Sequence, residues 1–164
     1  MPEIIIREAC NESDVKAVRR LMEEYREYLA NHPAGAASIC LEGYTQELAE
    51  LPRGYLVIFL AEVDGLAAGV VALREIVTPE KACEMKRLWV SGEFRGLRIG
   101  RFLVEETLAW AQRQGFEAMY LDTVPAAMPE ANRMYSSLGF LSVERYNRNF
   151  INGIEFFRRP IYRV

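Results

Sequence analysis

The sequence has little histidine and little cysteine. Its 164 residues include one histidine, His32, and three cysteines, Cys10, Cys40 and Cys83. A single histidine excludes a histidine-rich metal site and any Ser-His-Asp triad built on another residue. Three scattered cysteines are too few for a disulfide scaffold or a CxxC-type metal knuckle. We therefore predict a protein without a metal site, in which Cys40 and Cys83 are small apolar residues rather than nucleophiles.

Long hydrophobic runs are also missing. The longest apolar stretches have about seven residues, the length of a buried strand and too short to span a membrane. The N-terminal stretch MPEIIIREAC carries acidic residues around only three isoleucines. It does not fit a secretory signal peptide. Together with the unpaired cysteines, these features predict no membrane insertion and a cytoplasmic protein.

Excess charge of either sign is absent from the chain as a whole. The net charge is −3 and the pI is about 5.4. This balance argues against binding nucleic acid or an anionic membrane surface. A local patch is nevertheless basic, because residues 86–101 carry five cations and one anion, a net +4 that leaves −7 for the rest. A small polyanionic ligand therefore stays compatible with the composition.

Helical and strand periods alternate along the chain. Asn11 is a helix N-cap signal before a helix over about residues 12–30. Asp64-Gly65 joins two apolar runs and predicts a hairpin, since a type I′ turn needs positive φ at both central residues. Asn152-Gly153 predicts a second hairpin. We predict strands near residues 4–6, 55–63, 66–73, 84–90, 119–121, 140–146 and 154–161, with further helices over 44–51, 99–114 and 129–139.

This order predicts one α+β domain over residues 1–164. The sheet is mixed, has six to seven strands, and is flanked by about four helices. Antiparallel hairpins lie on both sides of one β-α-β unit, whose crossover should be right-handed.

Residues 84–101 combine a strand, a glycine-containing loop and the start of a helix. The first amides of a helix lack intrahelical partners and its dipole adds partial positive charge, which suits a phosphate. Gly96 and Gly100 let the backbone approach an anion, and Arg95, Arg98 and Arg101 add charge. The stretch contains neither GxxxxGK[ST] nor GxGxxG, which excludes a P-loop and a dinucleotide fingerprint. The alternative is an ordinary connection with surface arginines.

The stretch Arg95-Gly96-Leu97-Arg98-Ile99-Gly100 resembles the acetyl-CoA-binding motif of the GNAT superfamily of N-acetyltransferases. The family pattern is Arg/Gln-x-x-Gly-x-Gly/Ala, and Arg98 replaces its middle glycine. The late stretch from Asn132 to Phe140 resembles the family's Tyr-x-x-x-Gly-Phe signature. The resemblance is strong over about residues 55–146 and weak before them.

The resemblance implies acetyl transfer from acetyl-CoA to a primary amine of a small molecule, by direct attack in a ternary complex. An acidic body suits a cationic acceptor. Two alternatives are an enzyme acting on a peptide or protein amine, and a non-catalytic sensor module that binds acyl-CoA. The resemblance also implies a homodimer, for which the last strand, with Phe156, Phe157 and Ile161, offers a contact.

The resemblance assigns the cofactor site residue by residue. The strand ending at Val90 should diverge from its parallel neighbour near residue 120, so that the pantetheine arm of acetyl-CoA lies in the gap. Leu88, Trp89 and Val90 would offer freed backbone groups to this arm. Asn132 would contact the cofactor from the late helix. The pyrophosphate would bind the loop made of Arg95, Gly96, Leu97, Arg98, Ile99, Gly100 and Arg101.

Tyr135 matches the tyrosine that protonates the departing CoA thiolate in many relatives. A phenol with a pKa near 10 can serve a thiol whose pKa is about 8.5. The alternative is a core aromatic, because Ala131, Met134 and Leu138 share its helical face.

Glu84 matches a position where several relatives carry the general base. An alkylamine with a pKa of about 10.4 is protonated at neutral pH, so a base must remove its proton. The alternative is an ion pair of Glu84 with Lys86 or Arg87. Glu75 and Asp122, near the ends of other strands, are further candidate bases.

The acceptor region offers weaker signals. His32 fits a solvated loop residue better than a base. Tyr25, Tyr28 and Tyr44 are candidates to line an acceptor pocket, although Tyr25 also belongs to the apolar stripe of the first helix.

Overall fold

The computed structural model describes residues 1–36 and 41–162, so the prediction for Cys40 lies outside the described residues. Within this part of the chain, seven strands form one sheet in the order β1-β2-β3-β4-β5-β7-β6. Four α-helices flank it. The elements are β1 (Ile4–Glu8), α1 (Glu12–Asn31), α2 (Leu41–Glu50), β2 (Val57–Val63), β3 (Leu66–Ile76), β4 (Ala82–Val90), α3 (Ile99–Arg113), β5 (Ala118–Thr123), α4 (Pro129–Ser137), β6 (Leu141–Val143) and β7 (Glu155–Pro160).

The sheet is mixed, which confirms the predicted α+β class. Strands β1 to β4 pair antiparallel in sequence order. Strand β5 lies parallel to β4, and β7 pairs antiparallel with both β5 and β6. Helix α3 makes the crossover between the two parallel strands. The site described below depends on this single parallel contact.

The first predicted hairpin is confirmed, because Asp64 and Gly65 both have positive φ angles, 48° and 82°. The second prediction is only partly right. Strands β6 and β7 do pair, but residues 144–154 connect them instead of a two-residue turn at Asn152-Gly153. The strand predicted to reach Tyr146 ends at Val143, and the Tyr146 hydroxyl donates a hydrogen bond to Glu84 from the segment that follows.

Helix α1 begins where the sequence indicates. The Asn11 side chain accepts a hydrogen bond from the Asp14 amide, and the Asp14 side chain accepts one from the Asn11 amide, which forms a capping box. Asp14 is 5% exposed and pairs with Arg7 of β1 through both carboxylate oxygens, at 2.7 and 2.8 Å. The helix start is therefore attached to the first strand.

Apolar clusters cover both faces of the sheet. One cluster packs α3 against the sheet through residues such as Ile99, Leu103 and Val104. The other packs α1 and α2 through residues such as Val18 and Leu48. Across residues 1–36 and 41–162, no helix combines the length and apolar character needed to cross a membrane.

Candidate functional site

Strands β4 and β5 are paired only at their beginnings. Their parallel pairing runs from Ala82–Ala118 to Glu84–Tyr120, although β4 continues to Val90 and β5 to Thr123. Arg87 has a φ angle of 62°, and the register of β4 with β3 shifts at this point. Such a bulge bends a strand and breaks its pairing. A gap therefore opens between the two strands, as the family resemblance implies.

A cleft of about 460 Å³ lies at the open end of this gap. Tyr28, Ala127 and the beginning of α4 form its far wall. Leu97 and Asn132, two predicted cofactor residues, do not line it; Leu97 packs against the core instead. The other nine line the cleft: Leu88, Trp89, Val90, Arg95, Gly96, Arg98, Ile99, Gly100 and Arg101.

The N-terminus of α3 faces this cleft without a capping side chain. Arg98 is the N-cap residue and has φ 62° and ψ 22°, the left-handed conformation that glycine normally supplies. The arginine thus keeps the backbone shape of the motif. No acidic residue stands in the first turn of the helix. An anion bound here would meet unpaired amides and the positive end of the helix dipole.

The three loop arginines differ in their partners. Arg95 stacks over the Trp89 ring, with its guanidinium carbon 4.9 Å from the ring centroid. Arg101 pairs with Glu105 at 3.0 Å and also donates to Ser137. The Arg98 side chain makes no hydrogen bond or ion pair with any described residue, so its charge is available to a ligand.

Two of the cations counted in the basic patch lie elsewhere. Lys86 Nζ is 3.5 Å from Asp122 Oδ1, and Arg87 pairs with Glu47 at 2.9 and 3.0 Å. Both cations therefore lie beside carboxylates and outside the lining of the cleft. The positive charge at the cleft comes from the loop arginines.

Asn132 carries an unmatched acceptor. Its Nδ2 donates to Thr123 Oγ1 at 3.0 Å and to the Met128 carbonyl at 2.8 Å. Its Oδ1 is buried and has no hydrogen-bond partner. A buried polar atom left unpaired costs free energy, so this oxygen suits a donor brought by a ligand.

A second cavity, of about 50 Å³, lies in the gap between β4 and β5. Leu88 and Met128 line both this cavity and the cleft. Its further lining consists of Tyr25, Met85, Lys86, Arg87, Leu121, Asp122, Thr123 and Tyr135. Polar and ionisable side chains therefore meet next to the inner end of the cleft.

Tyr135 has features of both roles considered for it. It is 6% exposed and packs against Phe140 and Phe157, as a core aromatic does. It also lines the small cavity, and its hydroxyl makes no hydrogen bond to any described residue. Burial raises the pKa of Tyr135, with smaller contributions from Tyr25 and Asp122, so the phenol stays protonated.

Glu84 is completely buried and lines neither cavity. It accepts hydrogen bonds from Arg74 at 2.6 Å, from the Tyr146 hydroxyl and from Asn147 at 3.3 Å. The predicted ion pair with Lys86 or Arg87 is wrong. Arg74 takes this place because it is directly opposite Glu84 in the register of β3 and β4.

Asp122 is the carboxylate that reaches the small cavity. Its Oδ2 accepts from Asn147 at 2.7 Å and from Asn149 at 3.4 Å. Burial favours a higher pKa for Asp122, but Lys86 and the amide donors outweigh it and the pKa is lowered. Glu75, the other candidate base, is exposed and lines neither cavity.

Residues 144–154 contribute groups that the sequence analysis missed. The Asn147 amide bridges Asp122 and Glu84, and Tyr146 stacks on Tyr120 with ring centroids 4.9 Å apart. No local pattern marks these residues, because their partners are more than twenty positions away in the chain.

The aromatic candidates separate into different roles. Tyr25 lines the small cavity and Tyr28 the cleft. Tyr44 is 2% exposed, and its hydroxyl donates to the Met22 carbonyl, so it belongs to the core. His32 lines neither cavity; its Nδ1 accepts from the Ala34 amide at 3.0 Å beyond the end of α1.

Several side chains outside the site also have defined surroundings. Burial raises the pKa of the Cys83 thiol to about 12, which leaves it unreactive at neutral pH.

The proposed dimer contact is wrong in its residues, because Phe156, Phe157 and Ile161 are 6–8% exposed and pack inside the chain. In the described part of the chain, no three histidine, cysteine or acidic residues group as metal ligands.

The comparison with known proteins agrees with this geometry. The model of the acetyltransferase (GNAT) family matches residues 16–140. The chain belongs to the GNAT family. It is accordingly an acetyl-CoA-dependent acyltransferase that transfers an acetyl group to an amine.

Two relatives show how far the match extends. An uncharacterised N-acetyltransferase of Schizosaccharomyces pombe is 31% identical over 150 residues, which cover 88% of this chain and 87% of that protein. N-acetyltransferase family 8 member 3 of Rattus norvegicus is 29% identical over 123 residues, 70% of this chain and 52% of that protein. The chain thus matches most of the Schizosaccharomyces pombe protein and about half of the rat protein.

Solved structures share the fold. A GNAT acetyltransferase of Staphylococcus aureus has a TM-score of 0.77 at 20% identity, covering 98% of this chain and all of that one. PaiA N-acetyltransferase of Thermoplasma acidophilum, solved with coenzyme A, has a TM-score of 0.73 at 18% identity, covering 96% of this chain and 99% of that one. The ribosomal-protein-S18-alanine N-acetyltransferase of Escherichia coli has a TM-score of 0.69 at 17% identity, covering 99% of this chain and 96% of that one. These identities support a common GNAT fold alone.

The residues present fit acetyl-CoA as co-substrate. The uncapped start of α3 and the arginines suit its phosphates. Gly100 leaves room in the cleft, since a Cβ there would have Met134 and Val90 as its nearest neighbours, at 3.9 Å.

Proposed function

We propose that the acceptor is the primary amine of a small molecule and that it reacts directly in a ternary complex. The observation that carries this proposal is the gap between β4 and β5, where a cavity lined by Asp122 and Tyr135 adjoins the cationic cleft. Acetyl-CoA supplies a thioester whose carbonyl carbon is attacked by the amine, with the thiol as leaving group. The 50 Å³ cavity suits a small amine group rather than a folded partner.

The cofactor-binding role is proposed for two sets of residues. Arg95, Gly96, Arg98, Ile99, Gly100 and Arg101 bind the phosphates, with Leu97 anchoring the loop to the core. Leu88, Trp89 and Val90 offer backbone groups, and Asn132 offers Oδ1. The unpaired Asn132 oxygen and the partnerless Arg98 support these roles.

Asp122 is the proposed base. It lines the cavity, whereas Glu84 has hydrogen bonds to three side chains and no cavity surface. The lowered pKa of Asp122 keeps it ionised, so it can attract the ammonium group of the acceptor. Its position in the cavity, and not the shift of its pKa, supports the role of base. Glu84 acts as a positioning residue, because it holds Asn147, which in turn holds Asp122.

Tyr135 is the proposed acid. Its protonated hydroxyl has no partner among the described residues and is free to donate to the departing sulfur. No activated cysteine is needed for this route, and the buried, high-pKa thiol of Cys83 supports direct transfer over an acyl-enzyme.

The deciding experiment measures release of free thiol from acetyl-CoA with a panel of small primary amines. Turnover with at least one small amine, with a lag-free progress curve and no acetyl-enzyme detected by mass spectrometry, is expected. Acetylation of peptide N-termini alone would overturn the small-molecule acceptor. Acetyl-enzyme formed without acceptor would overturn direct transfer.

A further inference from the structure

The small cavity contains a loosely held cation. Lys86 Nζ lies 3.5 Å from Asp122 Oδ1, well beyond the usual 2.7–2.9 Å of a charge-assisted hydrogen bond. This is the only hydrogen bond or ion pair that the Lys86 side chain forms with the described residues. Its side chain is 15% exposed and lines the cavity. An ammonium group has three donors, so most of its bonding capacity is unused.

The neighbouring cation is different. Arg87 makes two hydrogen bonds to the Glu47 carboxylate and stacks over the Tyr44 ring at 4.3 Å. A bidentate pair of this kind satisfies both charges. Arg87 therefore lines the small cavity with its charge already paired, and Lys86 is the cation of this cavity that can bind a ligand.

Lys86 and Asp122 together present one positive and one negative charge side by side. The amine of the acceptor belongs beside Asp122, the proposed base. An anionic group on the adjacent carbon of the acceptor would then lie beside Lys86. A free α-amino acid has this arrangement, since its amino and carboxylate groups are attached to one carbon. A polyamine instead brings further positive charge towards Lys86 and Arg87.

We propose that the acceptor is a free α-amino acid, or a close derivative with an intact carboxylate, and that Lys86 binds this carboxylate. The proposal rests on the proposed function, because it uses the same site. It replaces the cationic acceptor expected from the acidic composition. It also separates a free amino acid from a peptide N-terminus, whose first residue has no carboxylate on the α-carbon.

The test compares matched acceptors in a thiol-release assay with the full chain. The pairs are L-phenylalanine with phenethylamine, L-leucine with 3-methylbutylamine and L-lysine with cadaverine, and L-phenylalanine amide represents a peptide-like end. We expect kcat/KM to be about tenfold to a hundredfold higher for the acid in at least one pair, the range of one hydrogen bond between charged groups. The amide should behave like the decarboxylated amine.

Variants assign this preference to Lys86. Lys86→Gln should remove the preference, mainly through a higher KM for the amino acid, and Lys86→Arg should keep most of it. Lys16→Gln, at an exposed position of α1, should change nothing. Thermal stabilisation by coenzyme A checks that each variant is folded. A preference that survives Lys86→Gln in a folded protein overturns the assignment.

The outcomes also separate this inference from the proposed function. Equal or faster turnover of the decarboxylated amines or the amide overturns the amino-acid acceptor and leaves transfer to a small amine standing. Absence of thiol release with every small amine, while a peptide is acetylated, overturns both.

Discussion

The hydroxyl of Tyr28 in α1 donates a hydrogen bond to the carbonyl of Ala127 at 2.6 Å. This bond joins the first helix to the loop before α4 and forms one wall of the cleft. The Tyr28 ring also packs on Trp89, with centroids 5.2 Å apart. The N-terminal helix is thus attached directly to the wall of the cleft.

Tyr28→Phe should weaken this attachment while keeping the ring. One lost hydrogen bond is expected to lower the free energy of unfolding by about 1 kcal/mol and to weaken coenzyme A binding several-fold. Urea denaturation and calorimetric titration measure the two effects. Tyr162→Phe, whose side chain is 72% exposed, is the matched control and should change neither.

Tyr135→Phe should reduce kcat by about a hundredfold, the range for loss of a general acid. The ring remains packed on Phe140 and Phe157, so the free energy of unfolding should change little. The affinity for coenzyme A should stay within about twofold of the wild type. Thiol release and titration with coenzyme A measure these quantities. An unchanged kcat would show that Tyr135 is a core aromatic only.

Asp122→Asn should lower kcat/KM for the amine by at least about tenfold, because the amide cannot accept the ammonium proton. Coenzyme A binding should be unaffected, since Asp122 does not line the cleft. Glu117→Gln removes an exposed carboxylate just before the same strand and should have no effect. Full activity of Asp122→Asn would contradict the assignment of the base.

Gly100→Ala tests the phosphate site without disturbing the fold. The added methyl would have its nearest neighbours at 3.9 Å, an ordinary contact, so the melting temperature should not fall. Because the family pattern accepts alanine at this position, the affinity for coenzyme A in calorimetric titration should fall by less than about tenfold. A larger loss would show that the bound phosphates pack directly on Gly100.

Arg98→Gly restores the family glycine and tests the role of the arginine. Left-handed backbone costs a residue with a Cβ about 1 kcal/mol, so the glycine variant should be at least as stable in urea denaturation. Loss of the unpaired guanidinium should still weaken coenzyme A binding, and more so at low salt. Tighter binding by the variant would show that Arg98 does not contact the phosphates.

Asp14 predicts a pH dependence of stability. Hydrogen bonds from Arg7 and from the Cys10 amide lower the pKa of Asp14 well below its usual range. The ionised group therefore stabilises the fold above about pH 4, the unfolded value, and this contribution is lost as pH falls further.

Asp14→Asn should lower the free energy of unfolding by about 2 kcal/mol at pH 7, because it breaks a hydrogen-bonded charge pair with Arg7, and by less at pH 2. Chemical denaturation across this pH range measures the difference from the wild type. Glu12→Gln, an exposed carboxylate in the same helical turn, should leave the pH profile unchanged. A constant difference between Asp14→Asn and the wild type would contradict the role given to ionised Asp14.

Local signals in the sequence determined most of the fold. Asn11 and Asp14 mark the start of α1, Asp64-Gly65 forms the turn between β2 and β3, and Pro129 begins α4. These signals are local because caps and turns depend on neighbours in the chain. The glycine motif likewise marked the cleft. Its loop and helix are contiguous in sequence, so the spacing of the residues is enough to predict that the loop leads into the start of a helix.

The partners within the site were decided by the tertiary structure. Glu84 looked like a base from its position, yet Arg74, Tyr146 and Asn147 enclose it, and Asp122 reaches the cavity instead. These groups come from three strands and a distant loop. Charges and hydrogen bonds depend on distances in space, and only the packed sheet brings these carboxylates, amides and cations within reach of one another.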